Sequence, residues 1–173
     1  CTGDADVAAQ AGALVQKGRE SDGQMQGVTM MFRLNGVDTE RLPEYFAEGV
    51  AFAVKPGSSQ PSFLRGVGTL ERWAEEIMAE RALDKPGRRL FTNSLRDGEF
   101  AANVTKVAGI DATDSWDLTR AEIEGRRQVM RLHAFLKRHV PGFERSALIA
   151  TGPFIGVRET RRIIGEHRLT ADD

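Results

Sequence analysis

The chain has 173 residues, of which 40% are hydrophobic and 28% charged, a composition that supports one packed core and excludes the intrinsically disordered class. Lys plus Arg total 24 against 25 for Asp plus Glu, so there is no general electrostatic attraction to nucleic acid or to an anionic membrane, and partners have to be argued from sites. No apolar run approaches the ~20 residues needed to cross a bilayer, and the one cysteine, Cys1, suits a reducing cytoplasm.

The text opens on Cys1-Thr2-Gly3-Asp4-Ala5-Asp6, which reads as the middle of a motif in a longer protein. A lipid-modified N-terminal cysteine would normally be followed by a polar spacer. Here residues 7–14 are already small and apolar, predicting a packed helix closed near Gly12 or Gly18. In residues 28–34, Val28, Met30, Phe32 and Leu34 alternate with Thr29, Met31 and Arg33, the period of a half-buried strand. Asn35-Gly36 turns the chain. Thr39 is placed to cap a short helix over 42–49, with Pro43 tolerable in its first turn.

The Pro-, Gly- and Ser-rich residues 55–62 predict an exposed loop. Beyond it, Leu70, Trp73, Ala74, Ile77 and Met78 recur at helical spacing, and that helix should end near Leu83. Lys85-Pro86-Gly87 breaks the chain, and the β-prone runs 89–95 and 100–107 around Asp97-Gly98 predict a hairpin. Thr119-Arg120-Ala121-Glu122 has the spacing of a capping box. Val129, Leu132, Leu136 and Val140 carry the apolar stripe of the following helix to Pro141-Gly142, which stops it. Residues 147–151 and 154–157 read as two short strands parted by Gly152-Pro153. Strands and helices mix without βαβ alternation, so the fold class is α+β, with a mainly antiparallel sheet and packed helices.

Gly66-Val67-Gly68 precedes a helix pattern, but Glu71 stands where a dinucleotide loop has its third glycine. An acidic side chain there repels a pyrophosphate, so the segment reads as a plain loop leading into the helix. His133, His139 and His167 show no metal-ligand spacing, and no metal site is expected. Two segments could carry chemistry. In residues 1–26, turn formers surround Asp4, Asp6, Arg19, Glu20, Asp22, Gln24 and Gln26. Gly3 would admit a ligand close to the backbone, yet a simple strand-to-helix connection has the same composition. In residues 155–166, an extended backbone puts Arg158, Thr160 and Arg162 on one face and Glu159 with Arg161 on the other. That makes an anion site or a solvated charged edge strand.

These two segments resemble FAD-dependent oxidoreductases of the glutathione-reductase-like flavoprotein class. The similarity runs through Cys1-Thr2-Gly3-Asp4-Ala5-Asp6-Val7-Ala8, residues 18–26 and 29–34, Gly98-Glu99-Phe100, Asp111-Ala112-Thr113-Asp114, residues 117–126, Pro141-Gly142-Phe143-Glu144 and residues 155–166. It covers nearly the whole chain. The resemblance implies a dinucleotide fold split in sequence: residues 1–27 as a remnant of the FAD-binding half, 28–152 as an inserted substrate domain, and 153–173 as the return segment. It implies FAD contacts from Thr2, Gly3, Asp4 and Arg158, and substrate contacts from Arg161, Gln24 and Gln26. The expected partners are a small-molecule substrate and the remaining FAD-binding domain, with a homo-oligomer as a further option and no nucleic acid or membrane.

The chain departs from the family pattern in lacking the Gly-x-Gly-x-x-Gly loop with its acidic ribose partner and the closing segment of the flavin site. The fragment is therefore expected to be inactive alone and not to hold FAD. No catalytic acid or base is assigned. The rival reading is a non-enzymatic binding module that has no flavin and uses the sheet surface for interaction.

Overall fold

The structure is a computed structural model that describes residues 4–42, 64–85, 89–94, 96, 98–167 and 171–172. The elements run α1 (Asp6–Gln10), β1 (Val15–Lys17), β2 (Phe32–Asn35), β3 (Leu64–Thr69), a 3-10 turn (Glu71–Trp73), α2 (Ala74–Glu80), β4 (Arg89–Ser94), β5 (Phe100–Asn103), α3 (Ser115–His139), β6 (Ala147–Thr151) and β7 (Arg161–Ile163). The expected helix over 42–49, its cap at Thr39, and the loop 55–62 fall on or beside residues outside the described set.

Strands β3-β4-β5-β2-β6 form one sheet in that order, with every pair antiparallel. The mainly antiparallel α+β architecture expected from the mixed pattern is what forms. In the expected hairpin, β4 and β5 pair Phe91 with Asn103, and Gly98 turns the chain at φ 74°, a left-handed conformation that glycine adopts at no steric cost. Val28, Met30, Phe32 and Leu34 are all buried while Met31 and Arg33 are exposed. Each buried apolar side chain contributes about 1.5–3 kcal/mol, so this alternation fixes which sheet face is the core.

The face so chosen packs against α3, whose Ala121, Gly125, Val129, Leu132, Phe135 and Leu136 are buried. Gly125 is there for close approach: a Cβ on it would lie 2.9 Å from the Cβ of Met30 and 3.1 Å from Ile155 Cδ1. At the far end, Phe143 meets Phe100 edge-on with centroids 5.0 Å apart, the geometry that ring quadrupoles favour. The opposite sheet face, bearing Met31, Arg33 and Phe91, is left without a helix over it among the described residues.

Four local expectations need correction. Gly66-Val67-Gly68 is not a loop but the middle of β3, paired residue by residue with β4; its two glycines do not break the ladder, because β4 supplies a complete set of partners. Helix α3 does not start at a capping box on Thr119. Its N-cap is Asp114, whose Oδ1 accepts from the amides of Trp116 and Asp117 at 2.9 Å each, while Thr119 sits inside the helix and donates back to the Ser115 carbonyl. Residues 154–157 do not form a second strand. Gly156 makes only an isolated bridge with Thr29, because the Ile155 amide donates instead to Glu122 Oε1 of α3 at 2.6 Å. The helix at residues 7–14 shrinks to the five residues of α1, with Val7 and Leu14 exposed, so it is not packed.

Besides the main sheet there is a two-stranded ribbon, β1 with β7, pairing Val15 with Ile163 and Lys17 with Arg161. Within the return segment 155–166 only Arg161–Ile163 is strand. Neither partner has enough alternating apolar residues to announce itself, and the ribbon depends on contacts between the two ends of the chain.

Candidate functional site

Two open clefts adjoin one another, sharing Gly27 and Lys106 in their walls. The larger, about 470 Å³, is lined by Lys17, Arg19, Gln24, Gln26 and Asp111 among others. The smaller, about 310 Å³, is lined by Thr29, Lys85, Arg89, Phe91, Asn103 and Arg158 among others.

Lys106 reaches both clefts because the sheet slips by one residue beneath it. β2 and β5 pair Phe32 with Ala102, yet the next bridge joins Val28 to Val107, one residue further along than that register allows. A bulge of this kind redirects a side chain and leaves backbone groups without ladder partners. Two side chains supply them. The Thr105 hydroxyl accepts from the Met30 amide at 2.8 Å and donates to the Met30 carbonyl at 2.9 Å. Gln128 of α3 accepts from the Lys106 amide and donates to its carbonyl, both at 3.0 Å. The stem of Lys106 then crosses Gly27, where a Cβ would come within 2.6 Å of its Cγ and Cε.

The wall of the larger cleft contributed by residues 18–24 is a closed turn. Gly18 and Gly23 both have positive φ, and a Cβ on Gly18 would sit 2.1 Å from the Gly23 carbonyl oxygen, so only glycine fits at position 18. Asp22 organises the turn by accepting from the Gln24 amide at 3.0 Å and from Arg19 at 2.5 and 3.1 Å. The Gln24 amide, followed by Arg19, holds the Asp22 carboxyl below its ordinary range. Across the cleft, Lys17 Nζ pairs with Asp111 Oδ2 at 2.6 Å. That ammonium, with the Thr113 hydroxyl and amide, draws the Asp111 carboxyl down to about 2.

Arg158 enters the smaller cleft by a chain of contacts that begins on α3. Glu122 and Arg126 pair with each other there, and Glu122 also holds the Ile155 amide. Gly156 is then exchanged with Thr29 through both backbone hydrogen bonds, at 2.7 and 3.0 Å. Two residues on, Arg158 Nη2 donates to Thr29 Oγ1 at 3.3 Å.

Of the residues singled out in the sequence, Gln24 and Gln26 line the larger cleft and Arg158 the smaller. Asp4 and Arg161 lie together elsewhere: Arg161 pairs with the Asp6 carboxylate and points at the Asp4 carbonyl at 3.5 Å, and Thr160 donates to the same carbonyl. Arg162, thought to lie on the face opposite Glu159, pairs with it at 2.6 Å and also donates to the Gly18 carbonyl. A bend at Thr160, just before the short β7, brings those two side chains together, so the guanidiniums of Arg161 and Arg162 are both neutralised. Thr2 and Gly3 fall outside the described residues. Lys17, Lys85, Arg89 and Lys106 escaped sequence reasoning. Lys85 and Arg89 flank a break that reads only as a turn, and Lys106 is a single lysine whose presentation depends on the bulge.

A profile of the family described as FAD dependent oxidoreductase matches residues 1–173. The chain belongs to that family. No curated protein and no solved structure gives a match. The cofactor that the FAD dependent oxidoreductase family implies is FAD. The cationic donors of the smaller cleft fit a phosphate or the electron-rich edge of a flavin. A pyrophosphate anchor, by contrast, takes a Gly-rich turn on a long helix N-terminus, and the helix near the chain's start, α1, has five residues. The fit is thus to one edge of the cofactor.

Proposed function

We propose that this chain is the substrate-side part of an FAD-dependent oxidoreductase, with residues 28–152 as the substrate domain and residues 1–27 and 153–173 leading to the FAD-binding half. FAD, when bound, supplies the two-electron chemistry, and the protein supplies orientation and electrostatics. The observation that carries the assignment is Arg158, delivered from the return segment onto Thr29 and into a cleft whose other charged walls are also cationic. There it holds an anionic group of substrate or cofactor. Gln24 and Gln26, in the adjoining cleft, offer hydrogen bonds to the substrate. Asp4, together with Thr2 and Gly3, serves the cofactor, and Arg161, beside the Asp4 carbonyl and paired with Asp6, serves the substrate.

The division into parts is supported by the strand map. All five strands of the main sheet lie between residues 32 and 151, whereas the ribbon joins residues 15–17 to 161–163. The exposed apolar side chains of Val7, Leu14, Phe154 and Ile164 support a face covered by the FAD-binding half or by a second copy of the chain. A single cysteine supports a cytoplasmic setting.

The test is to read the gene upstream of Cys1 and express the extended frame. A strand followed by Gly-x-Gly-x-x-Gly, and a yellow protein that retains FAD, are expected. A stop codon or signal peptide directly before Cys1, or a colourless extended protein, overturns the reading.

A further inference from the structure

The smaller cleft is unusual in its charge. Lys85, Arg89, Lys106 and Arg158 line it, and no acidic side chain does so among the described residues. Cations elsewhere that have carboxylate partners include Lys17, Arg19, Arg33, Arg120, Arg126, Arg131, Arg138, Arg161 and Arg162. Lys85, Arg89 and Lys106 form no ion pair with a described residue, and Arg158 bonds only the neutral Thr29 hydroxyl.

These four come from different parts of the chain. Lys85 follows α2, Arg89 opens β4, Lys106 sits on the bulge after β5, and Arg158 arrives with the return segment. Like charges converging on one cavity repel each other, and a fold that holds them there without counter-charge stores an affinity for anions. Arg89 and Phe91 lie on the same side of β4, so an aromatic face borders the charges, and Asn103, opposite Phe91 in the ladder, adds a neutral hydrogen-bonding group.

We infer that this cleft selects a small organic substrate carrying two or more closely spaced anionic groups, carboxylate or phosphate, with its carbon skeleton against Phe91. The inference rests on the proposed oxidoreductase reading and narrows its substrate class. A monoanion would leave most of the cationic set uncompensated. The pyrophosphate of the cofactor is the other source of such charge, but this cleft is made of sheet and loop cations rather than a helix N-terminus, and we assign it to the substrate.

Calorimetric titration of the 173-residue chain tests this with citrate, inorganic pyrophosphate, acetate and ADP as probes, at about 50 mM and about 200 mM salt. Citrate and pyrophosphate should bind at least about tenfold more tightly than acetate, and should weaken at the higher salt. The double variant Arg89→Ala/Lys106→Ala should lose that preference by about tenfold, as should the milder Lys85→Ala should the double variant fail to fold, while Lys137→Ala on the exposed side of α3 should keep it. Equal binding of citrate and acetate, or equal behaviour of the cleft variants and Lys137→Ala, overturns the inference. ADP binding about tenfold tighter than pyrophosphate would also overturn it by showing that an adenosine is read there. No flavin enters this titration, so its failure leaves the FAD-dependent reading standing, and that reading falls only by the extended-frame experiment.

Discussion

At the scale of single residues, the start of α3 separates two side chains that sequence spacing confuses. Asp114 satisfies two of the four free amides at the helix N-terminus, so Asp114→Ala should cost about 1 kcal/mol in a urea melt. Thr119→Ala should change stability by less than about 0.5 kcal/mol, because an exposed hydroxyl bonded back to the carbonyl four residues earlier adds little to a helix. The reverse ranking would mean that the helix begins at Thr119. Asp111 is a second residue with a measurable signature. Its carboxyl is drawn from an ordinary 3.8 to about 2, so the ionised group stabilises the fold fully above about pH 3.8 and loses that contribution as pH falls toward 2. The side chain is more than a third exposed, and solvent screening keeps the effect below about 1 kcal/mol. Asp111→Asn should therefore be less stable than the parent at neutral pH and converge with it in acid. Parallel stability curves from neutral pH down to about pH 2 would show that the Lys17 pair does not contribute.

At the scale of elements, the closest meeting of helix and sheet is Gly125 against Met30. Replacing Gly125 with Ala gains about 1 kcal/mol of helix propensity, but the new methyl would lie 2.9 Å from a Cβ fixed to a core strand, and overpacking of that kind costs about 1–3 kcal/mol. The net expectation is a lower melting temperature; a rise would place α3 further from the strand than described. Elements with a strong periodic signal were legible in advance: the in-and-out alternation at 28–34, of which only the end is strand, as β2, the hairpin around Gly98 and the stop of α3 at Pro141-Gly142. What was not legible depends on partners far away in sequence. β3 is a strand because β4 is beside it, and residues 154–157 fail to be one because Glu122 takes an amide. Half of the candidate site is of that second kind. Arg158, Gln24 and Gln26 stood out through residue type and resemblance, whereas Lys106 became a site residue only through a register slip and a glutamine on the opposite layer.

At the scale of the whole molecule, the cofactor is the decisive partner. The 173-residue chain has, among its described residues, no long helix N-terminus under a glycine turn, and a few contacts to one edge of a flavin must overcome several kcal/mol of lost ligand freedom. Titrated with FAD and followed by flavin fluorescence, it should bind with a Kd weaker than about 1 μM, or roughly −8 kcal/mol; tighter binding would mean that the pyrophosphate site lies within these residues. The ribbon of β1 and β7 has a mechanical consequence as well. Its three rungs, together with the Asp6 and Arg161 pair, tie the two ends of the chain to each other outside the five-stranded sheet. Tension applied between those ends falls on this clasp first and peels it open from the Val15 and Ile163 rung, so the ends can be drawn apart while the main sheet and α3 bear no load.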